Sequence, residues 1–195
     1  LDDIRFLTNA STGRMGIELA RAFRARGARV TLVLGPTSLK PPRGVEVVRV
    51  VSTRDLLKAT RTACKDATAV VFAAAPSDYR PKQKRRGKPA REAGALTLAM
   101  EPTEDVAATL GKRKGARVHV GFALEVAKGN QRALGKIAKK RFDAIVLNGP
   151  QNFGAGGGAA KWLTPDGASE ELPNPSKAAL ARAIVTRVGR LLRVP

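Results

Sequence analysis

The sequence predicts an α/β fold: a Rossmann-like, doubly wound and mainly parallel sheet flanked by helices, with a basic flap and a C-terminal hairpin plus helix. Three observations predict it. Short apolar runs alternate with stretches of helical period through residues 29–147, the pattern of buried parallel strands joined by crossover helices. The chain opens on a strand, tight turn and helix. It closes on two runs flanking Pro165-Asp166-Gly167-Ala168, a hairpin signal, and then on an amphipathic stretch. The 195 residues fit one domain, 1–195, large enough to bury a core without staples.

Ile4, Phe6 and Leu7 predict a short buried strand, and residues 9–13 a polar turn ending at Gly13. Met15, Leu19, Ala22 and Phe23 then recur at helical spacing, with Arg21, Arg24 and Arg26 between them, until Gly27. Residues 29–34 and 45–51 are strands, and Ser52 or Thr53 caps a helix running to Cys64. The almost wholly apolar run 67–75 is the next strand, and 95–100 a short one. Residues 101–105 start a helix with Thr103 as its cap and an acidic first turn, ending at 112–114. Residues 118–123 form a buried strand, and the helix after it turns Leu134, Ile137 and Ala138 inward. Residues 142–147 form one more strand. Asn174 caps the last helix, with Pro175 in its first turn and Leu180, Ile184, Val188 and Leu191 as its apolar stripe.

Charge is the strongest compositional signal: 36 Lys plus Arg against 16 Asp plus Glu leave +20. Such a balance attracts polyanions, whether nucleotides, nucleic acid or acidic headgroups. A dedicated nucleic-acid binder ranks below a small-anion site. Trp162 and Tyr79 are alone of their types, and the six Phe do not interleave with basic residues as a stacking platform requires. Cys64, the single cysteine, excludes an intrachain disulfide and reads as a small core residue. His119, the single histidine, lies in an apolar run, so no Cys/His metal site is expected. Without a signal-peptide pattern or a bilayer-length apolar span, the expectation is a cytoplasmic protein with no membrane partner.

The opening turn carries the first functional reading. A strand, tight turn and helix aim backbone N–H groups and the positive helix end at one point, where an anion can be held. The turn has neither the lysine of a P-loop nor GxGxxG spacing. It offers Asn9, able to orient a reacting oxygen, and the hydroxyls of Ser11 and Thr12. An ordinary first unit with no ligand is the alternative at this point. In a doubly wound sheet, ligands sit at the carboxyl ends of the strands. There Ala73, Ala74 and Ala75 would let a flat ring or a sugar approach the backbone, and Asp78 would accept from a ribose hydroxyl unless it is a plain surface turn. The basic run 82–91 is either a flap that closes over phosphates or a solvated linker. Lys136 and Lys140, at i and i+4, project from one helix face that is either wet or turned to a cleft.

These residues gather into three motifs: Thr8-Asn9-x-Ser11-x-Gly13-x-Met15-Gly16, the unit from Ala73-Ala74 to Asp78-Tyr79-Arg80, and Gly121-Phe122-Ala123-x-Glu125. In this order, and over nearly the whole chain, the sequence resembles the phosphopantothenoylcysteine synthetase family, the synthetase half of the bacterial bifunctional coenzyme A biosynthesis flavoprotein. The resemblance implies a ligase that activates the carboxylate of 4'-phosphopantothenate with CTP, accompanied by Mg²⁺, as an acyl cytidylate. Cysteine then attacks to give the amide. It implies catalytic roles for Asn9 and for the flap lysine, Lys88. It implies nucleotide contacts from Ser11, Gly13, Ala73, Ala74, Asp78, Asp105, Phe122, Lys136 and Lys140, and substrate contacts from Asn9 and Arg80. It implies a homodimer too, and a flavin-dependent decarboxylase domain as a fusion or associate. Attack at an α-phosphate needs neutralised charge and alignment more than a protein nucleophile, which agrees with the lack of any Ser/His/Asp or Cys/His set.

The sequence departs from the family pattern in four places. Pro76-Ser77 precedes Asp78 in place of Val-Ala, and Glu104 replaces a proline. Asn148-Gly149 stands for Asn-Asp, and Pro89-Ala90-Arg91 follows the flap lysine in place of a lysine cluster. ATP in place of CTP stays open. Two other readings compete: a basic polyanion or nucleic-acid-binding module on a degenerate ligase fold, and a nicotinamide-dependent oxidoreductase. The second would need an acidic residue after the second strand, where Leu34-Gly35-Pro36 stands.

Overall fold

The computed structural model describes residues 1–87, 97–124, 129–149, 160–173 and 175–192. Its centre is a five-stranded sheet in the order β3 (Ala69–Phe72), β6 (Val118–Leu124), β7 (Ala144–Asn148), β8 (Ala160–Leu163) and β9 (Ser169–Leu172). β3, β6 and β7 run parallel, and β8 and β9 return antiparallel as the expected hairpin. β1 (Thr31–Leu34) and β2 (Glu46–Arg49) form a separate parallel pair. β4 (Tyr79–Pro81) and β5 (Met100–Pro102) form an antiparallel ribbon.

Helices cover both faces, which is why β6 and β7, apart from His119 and the terminal Asn148, are continuously apolar rather than alternating. On one face lie α1 (Arg14–Ala25) and α5 (Lys177–Leu191), packed around Val120, Val146, Trp162, Ile184 and Val188. On the other lie α3 (Val106–Gly111) and α4 (Gly129–Lys140), around Ala133, Ile137, Ile145 and Leu163. α2 (Thr53–Ala63) joins that face beside Cys64 and Leu110. Ser52 caps α2 in a full capping box with Asp55. In β6, Gly121 makes room for the Phe142 ring; a Cβ there would lie 2.2 Å from a ring carbon. Among the described residues no helix is long and apolar enough to cross a membrane.

Five sequence expectations need correction. Residues 4–7 are not a strand, and Ile4, Phe6 and Leu7 are exposed. A strand buried on both faces would have to bury Arg5 as well. Instead Asp2 gathers the N–H groups of Ile4 and Arg5 and the Arg5 guanidinium into a tight turn. That turn is strapped to the basic run, where Asp3 meets Lys84 at 2.7 Å and accepts from the Gly87 N–H at 2.6 Å. The strand expected at 95–100 is β5, at Met100–Pro102, and residues 95 and 96 lie outside the described set. Thr103 does not cap α3, because its hydroxyl donates to the Ser77 carbonyl at 2.6 Å. Asp105 caps it, accepting from the Ala108 N–H at 3.0 Å. In α4, Ile137 is buried and Leu134 packs half-buried against the core as expected, but Ala138 is exposed and Ala133 is buried in its place. Ser176 caps α5, which begins after Pro175; Asn174 lies outside the described residues.

Candidate active site

The N-termini of α2, α3 and α5 are closed by Ser52, Asp105 and Ser176. α1 starts differently. Its N-cap is Gly13, at φ +75°, which has no side chain to close the end and where an L-residue with a side chain would be strained. The Thr12 hydroxyl takes the Arg14 N–H at 3.4 Å, and the Thr12 carbonyl accepts from Thr37 Oγ1 at 2.9 Å. A Cβ on Gly13 would also come within 3.7 Å of Thr37. The turn is thus pinned by the loop after β1, with Ser11 exposed beside it.

The turn meets the end of β3. Asn9 Nδ2 donates to the carbonyls of Ala75 at 3.1 Å and Pro76 at 3.2 Å. From there hydrogen bonds continue across the connection to α3. The Thr103 hydroxyl reaches the Ser77 carbonyl, and the Thr103 N–H reaches the Asp78 carbonyl at 2.8 Å. Two residues later Asp105 accepts an ion pair from Lys140 at 3.2 Å. Burial raises the Asp105 carboxyl, but the Ala108 N–H and the Lys140 ammonium outweigh it and hold the group below the usual carboxylate range. Lys140 is brought there because α3 and α4 cross closely: a Cβ on Gly111 would lie 2.2 Å from the Lys140 carbonyl.

Asn9, the carbonyl edge of residues 75–78, Asp105 and Lys140 therefore form one connected rim. Phe72 pairs with Gly121, so Ala73 and Phe122 are the next residues out on neighbouring strands, both half-buried. Ala74 and Asp78 are exposed along the same connection. Lys136 shares the α4 face with Lys140 and is half-buried. Lys88 and Glu125 lie outside the described residues.

Arg80 is held more firmly than the sequence suggested. It faces Glu101 across the ribbon, donating at 2.8 Å, and lies 3.9 Å from Glu104. The Glu104 departure therefore brings a partner for Arg80, not a bare negative charge. Sequence reasoning missed this cluster, although two apolar–charged–proline triplets, Tyr79-Arg80-Pro81 and Met100-Glu101-Pro102, carried a signal for it. Beside it opens a cleft of about 290 Å³ lined by Ser52, Arg54, Arg80, Lys82, Lys84 and Glu101.

This geometry can hold a polyanionic ligand at the carboxyl edge: a helix start that its own N-cap side chain leaves open, and a half-buried lysine already tied to a carboxylate. Asn9, whose two amide hydrogens go to carbonyls, presents its Oδ1 as an acceptor beside them. Comparisons with known proteins agree with the motifs. Over 196 residues the chain is 36% identical to the coenzyme A biosynthesis bifunctional protein CoaBC of Bacillus subtilis (strain 168), with 98% of this chain and 48% of that protein covered. Over 160 residues it is 41% identical to a cysteine/cysteine sulfinic acid decarboxylase of an unknown prokaryotic organism, covering 81% of this chain and 45% of that protein. The chain thus spans about half the length of these curated relatives. The crystal structure of the C-terminal domain of CoaBC superposes with a TM-score of 0.84 at 34% identity, covering 98% of this chain and 88% of that one. The family model for the DNA/pantothenate metabolism flavoprotein C-terminal domain matches residues 1–191, and the chain belongs to that family.

Proposed function

We propose that this domain is a phosphopantothenate–cysteine ligase of coenzyme A biosynthesis, activating 4'-phosphopantothenate with CTP before cysteine attacks. The observation that carries the proposal is the rim in which Asn9 is fixed to the end of β3 and linked through Thr103 to the Asp105–Lys140 pair. It is supported by the similarity to the C-terminal domain of CoaBC. In this reading the triphosphate lies at the open start of α1, over Ser11 and Gly13. The ribose and base lie along Ala73, Ala74, Asp78 and Phe122, and Lys136 and Lys140 neutralise the phosphates. Asn9 orients the oxygen that attacks the α-phosphate and then the acyl-nucleotide. Arg80, exchanging one of its two carboxylates, and the flap residue Lys88 meet the acidic substrate and the charge that develops on it.

Each of these roles aligns or neutralises, and none is nucleophilic; the nucleophiles are the substrate carboxylate and then cysteine. Among the described residues no three His, Cys, Asp or Glu side chains gather into a metal-holding group. The Mg²⁺ of this proposal would be carried mainly by the triphosphate and water.

The test is pyrophosphate release from CTP and Mg²⁺ on adding 4'-phosphopantothenate, with ATP in parallel and cysteine added afterwards. Pantothenate-stimulated release is the expected result. No release with either nucleotide from a folded sample overturns the ligase reading and moves the polyanion-binding module to first place. Asn9→Asp and Lys88→Gln should each lower turnover at least about 100-fold, as loss of a transition-state contact does. Lys88→Gln should do so with little change in melting temperature, whereas Asn9→Asp should also lower it somewhat, because a carboxylate would face the Ala75 and Pro76 carbonyls.

Three further parts of the reading concern assembly. The β4–β5 ribbon turns Tyr79 and Met100 outward, and both are exposed. A two-stranded ribbon is marginal alone, which favours a homodimer; sedimentation at micromolar concentration should give twice the monomer mass. The bifunctional relatives favour a flavin-dependent decarboxylase as a fused or associated domain. The expected compartment is the cytoplasm, which cell fractionation would check.

A further inference from the structure

The candidate site occupies the carboxyl edge of the sheet, and the opposite, amino edge carries a charge pattern of its own. α2, α3 and α4 lie on one face, α3 packs on both of the others, and all three run down to the amino ends of β3, β6 and β7. Three segments meet there: residues 61–68, 112–117 and 139–143. They hold nine Lys and Arg against two carboxylates, Asp66 and Asp143. With helix axes about 8–10 Å apart, the three ends form a cationic row roughly 20 Å long. β6, seven residues in length, holds this row about 20 Å from the candidate site.

Helix dipoles explain little of it. Cations in a last turn offset a dipole, but α3 has only six residues, and Lys112, Arg113, Lys114 and Arg117 all follow it. The row is also held in place. Lys114 donates to Asp143 at 2.6 Å, and the other Asp143 oxygen accepts from the His119 N–H at 2.6 Å, so this carboxylate is committed within the edge. The Arg117 guanidinium donates to the Arg113 carbonyl and closes the loop, leaving Lys112 and Arg113 exposed. Arg141 stands at φ +54°, alone among the described non-glycine residues in the left-handed region. It ends α4 as Gly27 ends α1: the Phe142 N–H reaches back to the Ile137 carbonyl at 3.0 Å, as that of Ala28 reaches Phe23 at 3.2 Å. An arginine where glycine is the unstrained choice puts an exposed guanidinium on the row. Arg61, Lys65, Lys112, Arg113 and Arg141 are all exposed, and none forms an ion pair with a described carboxylate.

The chemistry around the row selects the partner. The large exposed apolar side chains, among them Ile4, Phe6, Tyr79 and Met100, all lie outside the three segments. A protein interface wants aromatic anchors and a membrane surface wants an apolar face to insert, and this row offers neither. Single-stranded nucleic acid wants bases stacked on aromatic rings, and the one ring in the three segments, Phe142, is buried. A phosphate backbone wants cations alone. We propose that the amino edge formed by the ends of α2, α3 and α4 is a binding surface for the backbone of double-stranded nucleic acid, held without regard to base sequence and apart from the candidate ligase site. Duplex DNA presents about twelve phosphates over 20 Å, ample for the exposed cations of the row.

The test is fluorescence anisotropy of a labelled duplex of about 20 base pairs and arbitrary sequence, titrated with the protein from about 50 to about 200 mM salt without nucleotide or pantothenate. Two triple variants remove equal charge: Lys65→Gln, Arg113→Gln and Arg141→Gly on the row, and Lys82→Gln, Arg85→Gln and Arg86→Gln on the basic run. For the unmodified chain, log affinity should fall against log salt with a slope of about −4. The row variant should be shallower by about 2 to 3 and bind at least about 30-fold more weakly at about 0.1 M salt, while the basic-run variant stays within about 3-fold. The row variant should melt where the unmodified chain does, because Arg141→Gly relieves a left-handed arginine. The proposal is overturned if the duplex is not bound at the lowest salt, or if both variants weaken binding equally, which would assign it to the overall charge. It is overturned as well if a single strand of equal phosphate count, or vesicles of phosphatidylserine and phosphatidylcholine, bind at least as tightly as the duplex and with the same sensitivity to the row variant. None of these readouts uses ligase turnover, so the two proposals fail separately.

Discussion

The two ends of the sheet are finished to different degrees. From β6 to β9 the strands are closed by α4 on one face and α5 on the other, and Val120, Val146, Ile184 and Val188 are wholly buried. In β1, β2 and β3 the same kinds of residue, Leu34 apart, are only half-buried. Hydrophobic burial scales with area removed from water, so stability is concentrated in the C-terminal half. The candidate site lies at the junction. Asp105 and Lys140 belong to the closed half, whereas the Asn9 turn and Thr37 belong to the open one. A rim with one rigid side and one yielding side is suited to closing on a ligand.

The largest effect expected from this contrast is at Ile184. Truncation to Ala should cost about 4 kcal/mol in denaturant unfolding, while Val33→Ala in β1 should cost about 1. Equal losses would erase the distinction between the halves.

Next comes acid. Burial, and then Lys114 and Arg117, push His119 down to about 4 against the opposing pull of Asp143, and neither ring nitrogen has a hydrogen-bond partner among the described residues. The folded state therefore excludes a proton that the unfolded chain accepts near 6.5. Stability should be full above pH 6.5 and fall by about 3 kcal/mol between 6.5 and 4. His119→Leu should flatten that limb of a stability–pH curve; an unchanged slope would assign it to other groups.

Gly121→Ala follows, at about 2 kcal/mol, because the Phe142 ring must move to admit a methyl group. The pair substitution with Phe142→Leu should recover part of that loss, as a double-mutant cycle would show. Smallest is Lys140→Gln, which should cost about 1 kcal/mol by leaving Asp105 to the Ala108 N–H alone. Its effect on nucleotide affinity should exceed its effect on stability.

The closed half was also the more legible one in the sequence. Continuous apolar runs mark strands covered on both faces, so β6 and β7 were placed from composition alone, as was the β8–β9 hairpin from Pro165-Asp166-Gly167. Ile4, Phe6 and Leu7 carry the same local signal, and nothing local says that Arg5 has no place to go. Thr103 and Asp105 are equally good caps by type; a tertiary bond to Ser77 decided between them. The alanines of α4 differ by position and not by chemistry, so Ala138 was expected inward where Ala133 is the buried one. Of the candidate site, the Asn9 turn was visible because asparagine and glycine are specific at turns, and the 73–80 unit because a run of small apolar residues gives way to Pro76-Ser77-Asp78. The Arg80–Glu101–Glu104 cluster was not, since it depends on a ribbon register set by distant residues.

The strap at the N-terminus has a consequence of its own. Asp3 and Lys84 are both exposed, and the Lys84 hydrogen bond is the main reason that the Asp3 carboxyl sits below its usual range. The solution therefore sets how firmly residues 1–5 are held. Between 0.1 M and 1 M salt the Debye length shrinks from about 10 Å to about 3 Å, and an exposed pair of this kind loses most of its attraction. Trypsin should then cut after Arg5 and Lys84 faster as ionic strength rises, while sites within α5 stay resistant, so that the buffer itself decides how long the first turn remains attached to the basic run.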